Sequence, residues 1–144
     1  MKLEIHPYVG VGSIAFGMTR EEIRRAIGQA PRTFLKGPYA VIPMDSFDRL
    51  GIHVSYKKPN RCDAVELVLT ATPTFQGQRL IDRPFDQIHQ WFETLDDNIV
   101  SNDSGFTSFK FGIGLYAPSW KERPSDAVEA VIVFEKGYYG DELT

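Results

Sequence analysis

The side chains with chemistry to offer are few and scattered. His6, His53 and His89 are the three histidines of the 144-residue chain. An imidazole can ligate a metal or carry a proton, but either task needs a partner at a defined spacing, such as a second histidine one helical turn away. None of the three has such a neighbour, so neither a metal site nor a cofactor is expected. His53 is the one to follow, because strand alternation would set it on the same sheet face as Glu66 if the hairpin register allowed. Cys62 is the only cysteine. A catalytic thiolate needs a base or cation beside it, and Cys62, next to a turn and ahead of a strand, reads instead as a small apolar residue. Gly10, Gly12 and Gly17 are not spaced as G-x-G-x-x-G, and no Lys-Ser/Thr pair follows them. Glu21-Glu22 and Asp96-Asp97 are neighbouring carboxylates, but the first pair suits a helix start, where the dipole favours acids, and the second suits a helix end. Arg20, Arg24 and Arg25 make the one concentrated basic spot and are expected on the wet side of a helix. These residues lead to an expectation of binding without catalysis.

The elements that carry them follow from periodicity. Thr19 with Glu22 three residues on forms a capping box, and Ile23, Ala26 and Ile27 then recur at helical spacing until Gly28 and Pro31 stop the helix. Arg32 to Lys36 reads as a strand. Ser46-Phe47 and then Leu50 to Tyr56 alternate, with Ile52, Val54 and Tyr56 facing one way and His53 and Ser55 the other. A polar turn at 57–61 leads into a strand over 63–72, with Val65, Leu67 and Leu69 inward and Glu66, Val68 and Thr70 outward. A second helix starts at Asp82-Arg83-Pro84 and is marked by Phe85, Ile88, Trp91, Phe92 and Leu95. Strands are expected over 98–101, 107–116 and 126–136, the last two separated by a proline-containing turn.

Three matches recur in order. Ser46-Phe47 returns as Ser108-Phe109, the stretch 50–54 as 111–115, and 63–68 as 126–131. Each series follows one helix. The expected fold is therefore α+β: a single domain, 1–144, of two tandem α-β-β-β units, about 10–72 and 73–136, forming antiparallel sheet with the helices on one face, plus a tail over 137–144. On the other face the outward positions would be Glu66, Val68, Glu129, Val131, Val133 and Glu135, joined by Tyr116. This mixture of apolar, acidic and aromatic groups suits an interface. Tyr138 and Tyr139 in the tail would serve as anchors. The candidate partner-binding residues are thus Glu66, Tyr116, Glu129, Glu135, Tyr138 and Tyr139.

The run from Ile14 to Gly28, with Gly17-Met18-Thr19 at its centre and Pro31 beyond, resembles the helix motif of the SmpA/OmlA (BamE) group. A tandem pair of such units resembles the β-lactamase-inhibitor-protein-like fold. The second helix lacks the glycine-methionine-threonine signature, and neither a lipid-bearing cysteine nor disulfide cysteines are present. The resemblance therefore implies a cytosolic relative, similar to the immunity proteins that bind and block one bacterial toxin. The alternative is a structural or assembly module acting as a homodimer through the open sheet face.

Composition bounds these readings. A hydrophobic share of 42% is enough for a packed core and excludes wholesale disorder. The net charge of −3 argues against a nucleic-acid binder and suits a basic partner, such as a nuclease toxin with a basic cleft. No stretch approaches the roughly 20 apolar residues of a membrane span, and the first residues lack a signal-length apolar run. The expected location is the cytoplasm, with a cognate protein toxin as partner and neither nucleic acid nor membrane.

Overall fold

The first helix, α1 (Arg20–Ile27), forms where its capping box predicts. Thr19 accepts from the Glu22 N–H, and Glu22 accepts in return from the Thr19 N–H at 2.9 Å. Gly28 ends the helix in a left-handed conformation with its N–H on the Arg24 carbonyl. Ile23 and Ile27 are buried, whereas Ala26 is exposed. Arg20 and Arg24 depart from expectation: both turn inward onto Asp45, which is fully buried and draws them in. Only Arg25 stays on the wet side.

The computed structural model describes residues 1–140. Ahead of α1, β1 (Ile5–His6), β2 (Gly10–Val11) and β3 (Ile14–Ala15) make a small antiparallel sheet. After α1 come β4 (Arg32–Phe34), β5 (Met44–Phe47), β6 (Ile52–Lys57) and β7 (Arg61–Val68). A two-stranded hairpin, β8 (Thr74–Phe75) and β9 (Gln78–Arg79), leads to α2 (Phe85–Leu95). Then follow β10 (Val100–Asn102), β11 (Gly105–Ser108), β12 (Ile113–Tyr116) and β13 (Ala130–Phe134). The main sheet has eight antiparallel strands in the order β10-β11-β12-β13-β7-β6-β5-β4. The architecture is α+β.

Each helix is followed by four strands of this sheet rather than three, because the two long alternating stretches each fold into a hairpin. After Phe47 a short 3₁₀ turn, Asp48–Leu50, and Gly51 reverse the chain. Gly51 has φ +69°, and a Cβ there would lie 2.1 Å from the Val68 carbonyl oxygen, so only glycine fits. Gly112, with φ +69° and the Phe134 carbonyl 2.9 Å from a would-be Cβ, does the same between β11 and β12. β7 ends at Val68, so Leu69, expected inward, is exposed.

The register places both helices on one face. Asp45, Val54, Val65, Val133, Ile113 and Ser108 form one row across the sheet. Asp45 receives α1 through its arginines, and Ser108 donates to Asp96, the cap residue of α2, at 2.7 Å. Phe85, Ile88 and Phe92 of α2 are buried beside Phe106, also on that face, and each such side chain contributes about 1.5–3 kcal/mol by leaving water. Val131 and Val133, expected outward, are fully buried under the helices, while Ile132 takes the open face. The cause is register. By strand pairing, Asp63–Val68 stand opposite the first hairpin not as 126–131 but as the residues from Glu129 to Phe134, three further on, stand opposite the second: Val68 N–H donates to the Gly51 carbonyl and Phe134 N–H donates to the Gly112 carbonyl. An odd shift turns every side chain to the opposite face. The Ser46-Phe47 match likewise sits one residue away from the pairing, where Ser46 corresponds to Thr107. No helix among the described residues is long and apolar enough to cross a membrane.

Candidate functional site

The face of the sheet turned away from the helices carries one continuous row: Arg32, Ser46, His53, Glu66, Ile132, Gly114, Thr107 and Val100. His53 and Glu66 are directly opposite each other, and Nδ1 approaches Oε1 at 3.2 Å. The edge of the Phe34 ring also rests on the imidazole, with centroids 5.8 Å apart.

The two ends of this face differ. At one end Phe134 pairs with Ala64, and the chain packs its own tail on Phe134. Tyr138 stacks on Phe134 with centroids 5.8 Å apart, Tyr139 meets it edge-on at 4.9 Å, and Phe109 closes the group. Phe134 is fully buried as a result. Burial, with the Asp63 charge nearby, pushes the Tyr138 phenol up to about 12. Tyr138 is therefore committed to internal packing rather than standing free as an anchor, while Tyr139 keeps 44% of its surface exposed. Glu135 is committed too, because Lys57 pairs with it and its side chain is largely buried. The last four residues of the expected tail, 141–144, lie outside the described residues.

At the other end Val68 and Ala130 pair, with Tyr116 beside Ala130, and a hollow of about 470 Å³ lies over them. Gly114 contributes no side chain to its floor; a Cβ there would meet the Ile132 methyl at 2.9 Å. Val68, Ile132 and Tyr116 supply apolar wall, Glu66 and Glu129 supply carboxylates, and Lys36 and Tyr139 also line it. Tyr116 is 44% exposed. Glu129 precedes β13 and is held by its N–H on the Tyr116 carbonyl at 2.8 Å. Of the six sequence-derived candidates, Glu66, Tyr116, Glu129 and Tyr139 converge on this hollow, while Glu135 and Tyr138 lie outside it.

Lys36 was not among the candidates. It belongs to the loop between β4 and β5, and only a curled sheet brings that loop near β12 and β13, so no local pattern could reveal it. Asp63 was missed as well. It sits at a bulge where Tyr56 pairs with Cys62 and Ser55 with Ala64, and its Oδ1 is buried without a hydrogen-bond partner. Burial, opposed in part by Ser55, raises its carboxyl above the ordinary aspartate value. By the sheet pairing Asp63 corresponds to Glu129, which stays exposed.

Elsewhere, Cys62 is fully buried and burial pushes its thiol up to about 12, which leaves it protonated and inert. His89 packs among Phe85, Phe106 and Trp120, with Ser101 Oγ at 3.3 Å from Nε2. Among the described residues no group of three or more histidine, cysteine, aspartate or glutamate side chains is placed to hold a metal ion. No protein-family model, curated protein or solved structure matches this chain.

Proposed function

We propose that this chain is a cytoplasmic, non-catalytic inhibitor that binds another protein with the open face of its eight-stranded sheet, as an immunity protein neutralises its cognate toxin by covering it. One observation carries the reading. The two ends of the face correspond by strand pairing, Val68 standing where Phe134 stands; Phe134 is fully covered, by Tyr138 and Tyr139 of the tail together with Tyr8 and Phe109, whereas Val68 is half-buried under an open hollow. An apolar and acidic hollow with an exposed tyrosine on its wall has the composition of an interface core and leaves apolar surface in water until a partner arrives. Steric occlusion needs nothing more than that burial.

The same correspondence supports reading the two halves as copies of one helix-and-strand unit. Gly51 and Gly112 turn equivalent hairpins, and the Glu66–Ile132 pair lies at the centre of the relation. Duplication would make an unfilled second site the natural outcome when only one copy is followed by an aromatic tail.

The test is capture from the source organism with the wild-type chain and with Ala130→Trp, which fills the hollow from a position already facing it. The expected result is a stoichiometric protein partner held by the wild type and lost by the variant, whose toxicity is relieved by co-expressing the chain. Capture unaffected by Ala130→Trp would overturn the reading. So would a wild-type dimer in light scattering that Ala130→Trp converts to monomer, which would favour a self-associating module.

A further inference from the structure

Resting on that reading, we infer that the hollow receives an arginine side chain of the partner protein. Charge is the first reason. Glu66 and Glu129 face it with only Lys36 against them, so the hollow is net negative. Glu129 has no side-chain hydrogen bond or ion pair among the described residues, and the one partner of Glu66 is His53. A cation entering here meets, in Glu129, a carboxylate that no other side chain among the described residues holds.

Shape and surface are the second reason. The exposed Tyr116 ring stands beside Ala130, and a planar guanidinium stacks on such a ring while its edge donors reach carboxylates. Val68 and Ile132, whose methyl packs over the bare Gly114 backbone, offer apolar surface to the methylene stem. A lysine would bring one compact charge, whereas arginine's planar fork can stack on an aromatic ring and still donate to a carboxylate.

The molecule already recognises arginine in this way. The Arg20 guanidinium lies 4.0 Å above the Tyr56 ring while its Nη1 donates to Asp45 at 2.8 Å. There a tyrosine and a carboxylate on adjacent strands hold an arginine from a helix. In the hollow Tyr116 and Glu129 are likewise joined across adjacent chain segments, and no arginine of the described residues lines it.

The probe is a pair of capped tripeptides, glycine-arginine-glycine and glycine-citrulline-glycine, titrated into the full chain and followed by amide NMR shifts. Expected are shifts at Gly105, Gly114 and Tyr116 and binding of the arginine peptide at least about fivefold tighter, the preference being lost in Glu129→Gln, in Tyr116→Ala and at high salt. Both substitutions are at exposed positions, and the amide spectrum reports whether each variant is folded. Equal binding of the two peptides, or shifts confined to other parts of the chain, would overturn the inference. Partner capture distinguishes the arginine pocket from the binding face. If Ala130→Trp loses the partner while Glu129→Gln and Tyr116→Ala both hold it as tightly as wild type, the inference fails and the reading of the face survives.

Discussion

Replacing Asp45 with alanine removes the acceptor on which α1 is anchored. The carboxylate is fully buried and accepts from Arg20 Nη1 at 2.8 Å, from Arg24 Nη2 at 2.8 Å and Nε at 3.0 Å, and from the Tyr56 hydroxyl at 2.9 Å. Breaking a buried charge pair from one side costs about 3–5 kcal/mol, because the remaining charge stays desolvated. The arginines differ in how far they escape this. Arg24 is 37% exposed and can swing to water, whereas Arg20 is 13% exposed, though it keeps the Pro43 carbonyl and Asn60. The expected loss for Asp45→Ala is therefore near the lower bound, about 3 kcal/mol, out of a total that for such a chain is about 5–15 kcal/mol. Urea unfolding at pH 7 reads it directly. A pH series tests the cause. Burial alone would raise the Asp45 carboxyl, but the bonds from Arg24 and Tyr56 and the Arg20 charge outweigh it and hold the group below its ordinary value. A depressed folded-state value means stability that is present above the unfolded value, about 3.9, and lost as pH falls through the folded one. Asp45→Asn does not titrate, so its deficit relative to wild type should hold steady from neutral pH and shrink in acid. A cost under about 1 kcal/mol for Asp45→Ala, or a deficit that widens in acid, would refute the anchoring argument.

Asp63 should behave with the opposite sign: its raised carboxyl means a penalty that develops as pH rises, so Asp63→Asn is expected to stabilise by about 1 kcal/mol at pH 7 and by nothing in acid, again by urea unfolding. Ser108→Ala removes the buried donor to Asp96 and should cost about 1–3 kcal/mol in the same assay. Thr19→Ala strips the capping box from α1 and should cost about 1 kcal/mol. Cys62 should resist a thiol reagent in the native protein and label at least about a hundredfold faster in urea, since it is buried and protonated.

How much of this fold could be read from the chain depends on how local each cause is. The capping box of α1, the Phe85, Ile88 and Phe92 face of α2, and the β6–β7 hairpin all rest on neighbours close in sequence and stand as expected, and the hairpin register, which the chain left open, sets His53 opposite Glu66. The β5–β6 and β11–β12 reversals do not declare themselves, because alternation continues on both sides of a four-residue gap and does not say whether the gap is strand or turn. Arg20 and Arg24 were misplaced because hydropathy registers charge, not its partner, and Asp45 lies 21 residues beyond Arg24.

The repeat misled and informed at once. Identical letters at 63–66 and 126–129 drew the match three residues out of register, which sent Val131 and Val133 to the wrong face. Glu129 escaped that error for a reason of its own. It lies just before β13, tied by its N–H to Tyr116, so sheet alternation does not yet govern where its side chain goes. Tyr138 and Glu135 go the other way: Glu135 directly follows β13 and pairs with Lys57, and Tyr138 belongs to a tail whose return onto Phe134 is set by a ladder formed from distant strands. Correct register is also what makes the site meaningful. Only when Val68 is matched with Phe134 does it emerge that one end of the face is fully covered while the corresponding end, lined from the tail by Tyr139 alone, stays an open hollow. An aromatic residue following β7 as Tyr138 follows β13 would fill the hollow from within. The chain instead leaves Val68 for Leu69, which points to solvent at 58% exposure, and then for the β8–β9 hairpin. The apolar surface so left open is where a partner's binding energy has the most to gain.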